Sequence, residues 1–262
     1  MTANTMPRFE PMTVGMLLDA TVRLYAQNIA LMLAITACAY LPFLVLLLVV
    51  TFITVVYGQS VGALVAVGNV LAFLLWYLVA QPLSIGAVTY AISERYLQRQ
   101  SSVGAALHAV WKRYGMLLWA QSVVGIIVAF GFLLLIIPGI VWMLSYTLVT
   151  PVIMLESRSA RDSRQRSWHL VAGYRTKVLC IIAVVWLLTL LVTGGIGAIM
   201  TLLWASDSVF GHLTSQLVNQ LASYVIIPVA VIANVLLYYD LRMRKEGFDL
   251  EMLSRALAQK QG

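Results

Sequence analysis

The sequence is short of charge: only 10% of its 262 residues are Asp, Glu, Lys or Arg, against about a quarter in a soluble domain. None of these residues, and no histidine, falls inside the long apolar runs at 29–57, 61–92, 115–137, 140–155, 178–204 and 217–239. That absence argues against ion-coupled transport, proton relay and voltage sensing, which rely on ionisable groups at membrane depth. Cysteine is nearly missing as well. Cys38 and Cys180 both sit in apolar runs, where a small buried side chain is the expected role, and they supply neither a disulfide framework nor a metal-binding spacing. No cofactor or metal is expected.

What is abundant is hydrophobic surface, 61% of residues, with a mean hydropathy of +0.91. Lipid must therefore be the main solvent. A hydrocarbon core about 30 Å thick is spanned by about twenty helical residues, so the six runs predict an all-α, polytopic membrane protein with six transmembrane helices in a single integral membrane domain, 1–262. The run at 140–155 reaches only about 24 Å, so its helix is expected to begin earlier or to sit where the bilayer is thinned. Pro82 is expected to kink the second span, Pro138 and Gly139 to form the turn after the third, and Pro228 to break the sixth. Gly194, Gly195 and Gly197 give the fifth span a smooth patch for close helix contact.

The formal charge of +7 might suggest nucleic acid, but its placement excludes that reading. Of seventeen basic residues, two precede the first span, four lie in 93–114, six in 156–177 and five in the tail 240–262, while the three opposite connections have none. Basic residues are retained on the cytoplasmic side. Both termini and both long connections are therefore expected to be cytoplasmic.

Those connections carry a second pattern. Val14, Leu17, Leu18, Thr21, Val22 and Tyr25 recur at helical spacing, and Val103, Ala106, Leu107, Val110, Trp111 and Tyr114 repeat it position for position. Trp168, Leu170, Val171 and Tyr174 keep only its second half. The pattern predicts three degenerate units, each an amphipathic surface helix (the first at 13–27) followed by a transmembrane hairpin. Leu250, Leu253 and Leu257 give the tail one more apolar face.

Polar residues are the remaining candidates for function. Asn69, Gln81, Gln121, Asn219 and Asn234 lie within spans, where hydrogen bonding between helices is the expected role and substrate binding the alternative. Pro82, Pro151 and Pro228 of the even-numbered spans are each followed by an acid, Glu94, Glu156 and Asp240. These carboxylates either converge on a headgroup or partner loop, or simply orient arginines and cap helix ends. Arg158, Arg164, Arg166, Arg242 and Arg244 are candidate contacts for lipid phosphate, at about 1 kcal/mol each, and Trp168 is a candidate interfacial anchor. His108 and His169 lie beside tryptophans in no motif that defines a reaction.

Two stretches point to a family. Tyr238-Tyr239-Asp240-Leu241-Arg242 with Arg244-Lys245-Glu246-Gly247-Phe248-Asp249-Leu250, and Pro151, Glu156, Arg166-Ser167-Trp168-His169-Leu170-Val171 with Gly173, resemble the glycerophosphoryl diester phosphodiesterase membrane domain family. The resemblance implies a six-span protein of a prokaryotic inner membrane. It implies no active site, because the soluble phosphodiesterase domain of some relatives has no counterpart among the residues after the last run. The expected function is a non-enzymatic membrane domain that binds membrane lipids, anionic ones included, or a membrane-protein partner as a component of a transport or lipid-handling complex. A lipid translocator or scramblase would instead show a polar groove running to the arginine clusters. An interfacial headgroup enzyme would bring Glu156, Asp240 or a histidine into one pocket.

Overall fold

The structure, a computed structural model, describes residues 11–203 and 209–247. Among these the chain is helical with no strand. The tail positions Leu250, Leu253 and Leu257 lie outside the described residues. Six helices are long and apolar enough to cross a membrane: Ile29–Tyr57, Gly62–Tyr96, Tyr114–Leu134, Ile136–Glu156, Arg175–Leu203 and Phe210–Glu246. A chain built this way is a multi-pass membrane protein.

The first helix, α1 (Val14–Gln27), is capped by the Thr13 hydroxyl, which accepts from the Met16 amide. It buries Leu17 and Thr21, whereas Val22 of the expected apolar stripe is exposed. After Asn28 comes the first span, α2 (Ile29–Tyr57). The second is irregular. It joins α3 (Gly62–Leu75), a π-helical turn over Trp76–Ala80 and α4 (Gln81–Tyr96). The Gln81 amide reaches back five residues to the Trp76 carbonyl, so the wide turn directly precedes Pro82, which has no amide hydrogen to continue a regular ladder.

Helix α5 (Val103–Trp111) is capped by Ser102 and buries Ala106 and Val110. The third span is α6 (Tyr114–Leu134). Its turn is not at Pro138 and Gly139 as the sequence suggests. The chain reverses at Leu135, which is extended, and Pro138 sits in the first turn of α7 (Ile136–Ser145), where a missing amide hydrogen costs nothing. Gly139 and Gly131 close the hairpin: a Cβ at Gly139 would lie 2.5 Å from the Phe132 ring, and one at Gly131 2.6 Å from Trp142.

The fourth span does begin early, at Ile136, and it is broken at Tyr146–Leu148 before resuming as α8 (Val149–Glu156). Pro151 lies in the first turn of α8 and needs no kink. Helix α9 (Ala160–Val171), capped by Ser159, precedes the fifth span α10 (Arg175–Leu203). The sixth, α11 (Val209–Glu246), runs without interruption through Pro228 and onward past Asp240, so the expected break at Pro228 is absent.

Packing follows a repeated rule: α1 lies on α11, α5 on α4 and α9 on α8. In each case a short helix from a basic connection covers a proline-bearing even-numbered span. Helices α4, α8 and α11 meet at the centre, where Val88, Ile92, Val152, Ile153, Ile232 and Leu236 are buried. A second cluster toward the other end holds Phe43, Leu44 and the stacked rings of Tyr40 and Tyr224. Helix α10 packs on α11, but the glycine patch contributes little: a Cβ at Gly194 or Gly195 would meet nothing within 4 Å, and only one at Gly197 would touch another helix, at the Asn219 side-chain oxygen 3.6 Å away, among the described residues. Cys38 and Cys180 are likewise exposed rather than buried.

Candidate functional site

At the basic end the acids expected to converge are divided among separate networks. Glu156 ends α8 and accepts from Arg158 at 2.7 Å, from Arg166 at 3.2 Å and from the Tyr238 hydroxyl at 3.0 Å. Arg166 also donates to Glu246, which Arg242 holds from one turn back on α11. Burial alone would lower the Arg166 pKa, but the hydrogen bond to Glu246 and the charges of Glu156 and Glu246 outweigh it and hold the guanidinium above its ordinary value. Arg166 is thus a strut between α8, α9 and α11.

Asp240 is fully buried and serves a different junction. It accepts from the Met12 amide at 2.7 Å and pairs with Lys177 and Arg244. Lys177 and Arg244 both donate to the Met12 carbonyl as well. The carboxylate therefore ties the residues before α1 to the start of α10 and the end of α11. Glu94 joins neither network and faces Arg99 at 3.8 Å. Trp168 packs against Tyr146 with the rings tilted by 49° and lies under the Arg175 guanidinium, which is 5.0 Å from its centroid. One Arg164 nitrogen is buried without a partner among the described residues.

Neither His169 nor His108 is hydrogen-bonded or ion-paired to Glu156 or Asp240 among the described residues. His169 borders a shallow groove with Arg158, Asp162, Gln165 and Arg166, and His108 another with Tyr90, Lys112 and Arg113. Arg113 is already committed, donating to the Ile153 and Met154 carbonyls and to the Ser157 hydroxyl, so it caps the C-terminal end of α8. That is the favourable place for a cation on a helix.

A different arrangement lies within the spans. A cleft of about 370 Å³ opens between the second span, α6, α8 and α11. Its polar lining comprises Tyr77, Gln81, Thr89, Gln121, Tyr146, Thr147, Thr150 and Asn234, and its apolar lining includes Ile85, Val124, Val128, Val149 and Val231. Two walls are irregular: Tyr77 belongs to the π-helical turn, and Tyr146 and Thr147 to the break in the fourth span. Ser167 of α9 repairs that break, accepting from the Leu148 amide at 3.2 Å and donating to the Ser145 carbonyl at 2.7 Å. Non-helical backbone at membrane depth is tolerated where protein buries it or where it lines a cavity.

The cleft's polar groups are only partly used. Gln121 donates to Thr150 at 3.4 Å and Thr147 to Asn234 at 3.3 Å, both long bonds. The Thr89 hydroxyl is buried with no partner, and no hydrogen bond is formed by the Gln81 side chain among the described residues. The lining contains no charged side chain. One helical turn further toward the basic end Ser93 and the Tyr239 hydroxyl share a hydrogen bond of 2.6 Å, and the Tyr238 hydroxyl donates to Glu156.

Of the five polar span residues expected to join helices, Gln121 joins α6 to α8 and Asn234 joins α11 to the break. Asn69 and Asn219 instead bond carbonyls of their own helices, four residues back. Gln81, Gln121 and Asn234 share the cleft, a convergence the sequence signals only as scattered amides. Comparison with known protein families, curated proteins and solved structures finds no match to this chain.

Proposed function

We propose that the chain is a non-enzymatic, lipid-binding protein of a prokaryotic inner membrane, with both termini cytoplasmic, and that the cleft between the spans receives part of a lipid molecule. The observation that carries this reading is unmet hydrogen-bonding capacity at membrane depth: Thr89, whose buried hydroxyl has no partner among the described residues, and Gln81 both line the cleft, and an unpaired polar group there costs on the order of 1–3 kcal/mol. A ligand that pairs them removes that cost. The volume lies within the usual range of small-molecule sites, about 300–1,000 Å³, and the bilayer supplies amphiphiles at high concentration.

The absence of every arginine of the basic end from the cleft's lining supports binding over translocation. Separation of Glu156 and Asp240 into different ion-pair networks supports a role without catalysis. The one-sided basic charge supports the orientation.

The test is native mass spectrometry of the full chain released from membranes under mild conditions, with lipids and proteins analysed together. A lipid retained at near one copy per chain, and lost in an Asn234→Leu variant of unchanged melting temperature, is the expected result. Bulk lipid at equal occupancy in both proteins, or a stoichiometric protein partner in place of lipid, overturns the reading.

A further inference from the structure

The cleft's chemistry points to the class of lipid, and this inference rests on the lipid-binding reading above. We infer that the cleft selects an uncharged lipid carrying a free hydroxyl beside ester carbonyls, of the diacylglycerol class. Three observations lead there.

The first is the absence of charge from the lining, among whose residues there is no Lys, Arg, His, Asp or Glu. A phosphate brought into such a place would lose its hydration with no cation to replace it, a cost of several kcal/mol or more. The second is depth. Gln121 and Asn234 lie eight residues from Arg113 and Arg242 on continuous helix, about 12 Å along the axis, and Gln81 lies about 21 Å from Arg95 along α4. A phospholipid whose phosphate stays at the basic face holds its esters beside that phosphate and cannot place them so deep. A lipid without a charged head can sink.

The third is the mixture of donors and acceptors. The Thr89 hydroxyl and the Gln81 amide nitrogen offer hydrogens, while the Gln81 and Gln121 side-chain carbonyls offer lone pairs. A ligand with carbonyls alone meets only the donors. One hydroxyl and two esters meet both kinds, and the apolar stretch of Val124 and Val128 on α6 leaves room for the acyl chains to continue into lipid.

The experiment uses the full chain in phosphatidylcholine nanodiscs with two photoactivatable probes bearing identical diazirine acyl chains, one a diacylglycerol and one a phosphatidylglycerol. Labelled peptides are mapped by mass spectrometry. The diacylglycerol probe should label the α6 and α4 walls of the cleft, unlabelled 1,2-dioleoylglycerol should compete, and Thr89→Val, which keeps the side chain's shape, should cut labelling about five- to tenfold, as for loss of one hydrogen bond in a dry site. Gln81→Leu provides a second variant if Thr89→Val fails to fold. Equal labelling of the cleft by the phosphatidylglycerol probe overturns the uncharged class while leaving lipid binding intact. Stronger competition by a quinone than by dioleoylglycerol overturns the hydroxyl requirement in the same way. If neither probe labels the cleft, the lipid-binding reading falls with it.

Discussion

The Tyr114 hydroxyl donates to the Leu78 carbonyl, which Pro82, four residues on, leaves without its own donor. The Tyr25 hydroxyl donates to the Val225 carbonyl at 2.7 Å, in the turn before Pro228. In both cases the tyrosine stands at or just beyond the end of a short helix packed on the proline-bearing span. The carbonyl that a proline frees in an apolar helix is tolerated where a neighbour's side chain satisfies it, as Tyr114 does for Leu78.

Removing either hydroxyl should expose that dependence. Tyr25→Phe and Tyr114→Phe are each expected to lower stability by about 1 kcal/mol, read as a reduced melting temperature in detergent. A Tyr114→Phe, Pro82→Ala double variant should lose less than the sum, since the alanine amide can donate to the Leu78 carbonyl.

The α6–α7 hairpin depends on glycine where the chains touch. Gly139→Ala places a methyl 2.5 Å from the Phe132 ring and Gly131→Ala one 2.6 Å from Trp142, so each should destabilise by about 1–3 kcal/mol through overpacking. Gly195→Ala meets open space and should raise helix stability by about 0.5–1 kcal/mol. Thermal unfolding of the three variants gives the ranking, and equal losses at 131 and 195 would contradict it.

Asp240 joins three parts of the chain through one carboxylate. Asp240→Ala strands Lys177 and removes the acceptor of the Met12 amide, so it should cost about 3–5 kcal/mol, the range for breaking a buried pair. Asp240→Asn keeps an oxygen for Met12 and should cost less. Limited proteolysis before residue 14 should rise in both variants.

Arg166 and Arg158 share Glu156 but differ in surroundings, with side chains 16% and 47% exposed. Arg166→Ala should lose about 2–3 kcal/mol, because its charged hydrogen bonds to two helices are lost. Arg158→Ala should lose at most about 1 kcal/mol, as for a solvated pair. Denaturant midpoints in detergent distinguish the two.

Much of the architecture is legible in the chain itself. Six apolar runs correspond to six spanning helices, and the serine or threonine before Val14, Val103 and Ala160 marks the cap of each short helix. Boundaries failed where proline and glycine were taken as breaks. Pro138 and Pro228 both lie inside helices, because a first-turn proline gives up no bond and an internal one removes a single amide from the ladder. The candidate site was the harder part. Glu156, Arg166, Asp240, Arg242 and Arg244 were visible as charged residues, but which acid meets which base depends on how far α11 extends beyond its apolar run.

The number of spans and the gathering of every basic residue into the same alternate connections follow from the sequence by itself, because run length and charge placement are local properties that membrane thickness and topology read directly. The meeting of Gln81, Gln121, Thr89 and Asn234 around one cleft was decided by tertiary structure alone. Their convergence depends on the rotation of four helices about their axes, on a π-helical turn before Pro82 and on the break at Tyr146–Leu148 that Ser167 repairs. None of these is encoded in the spacing of any one segment.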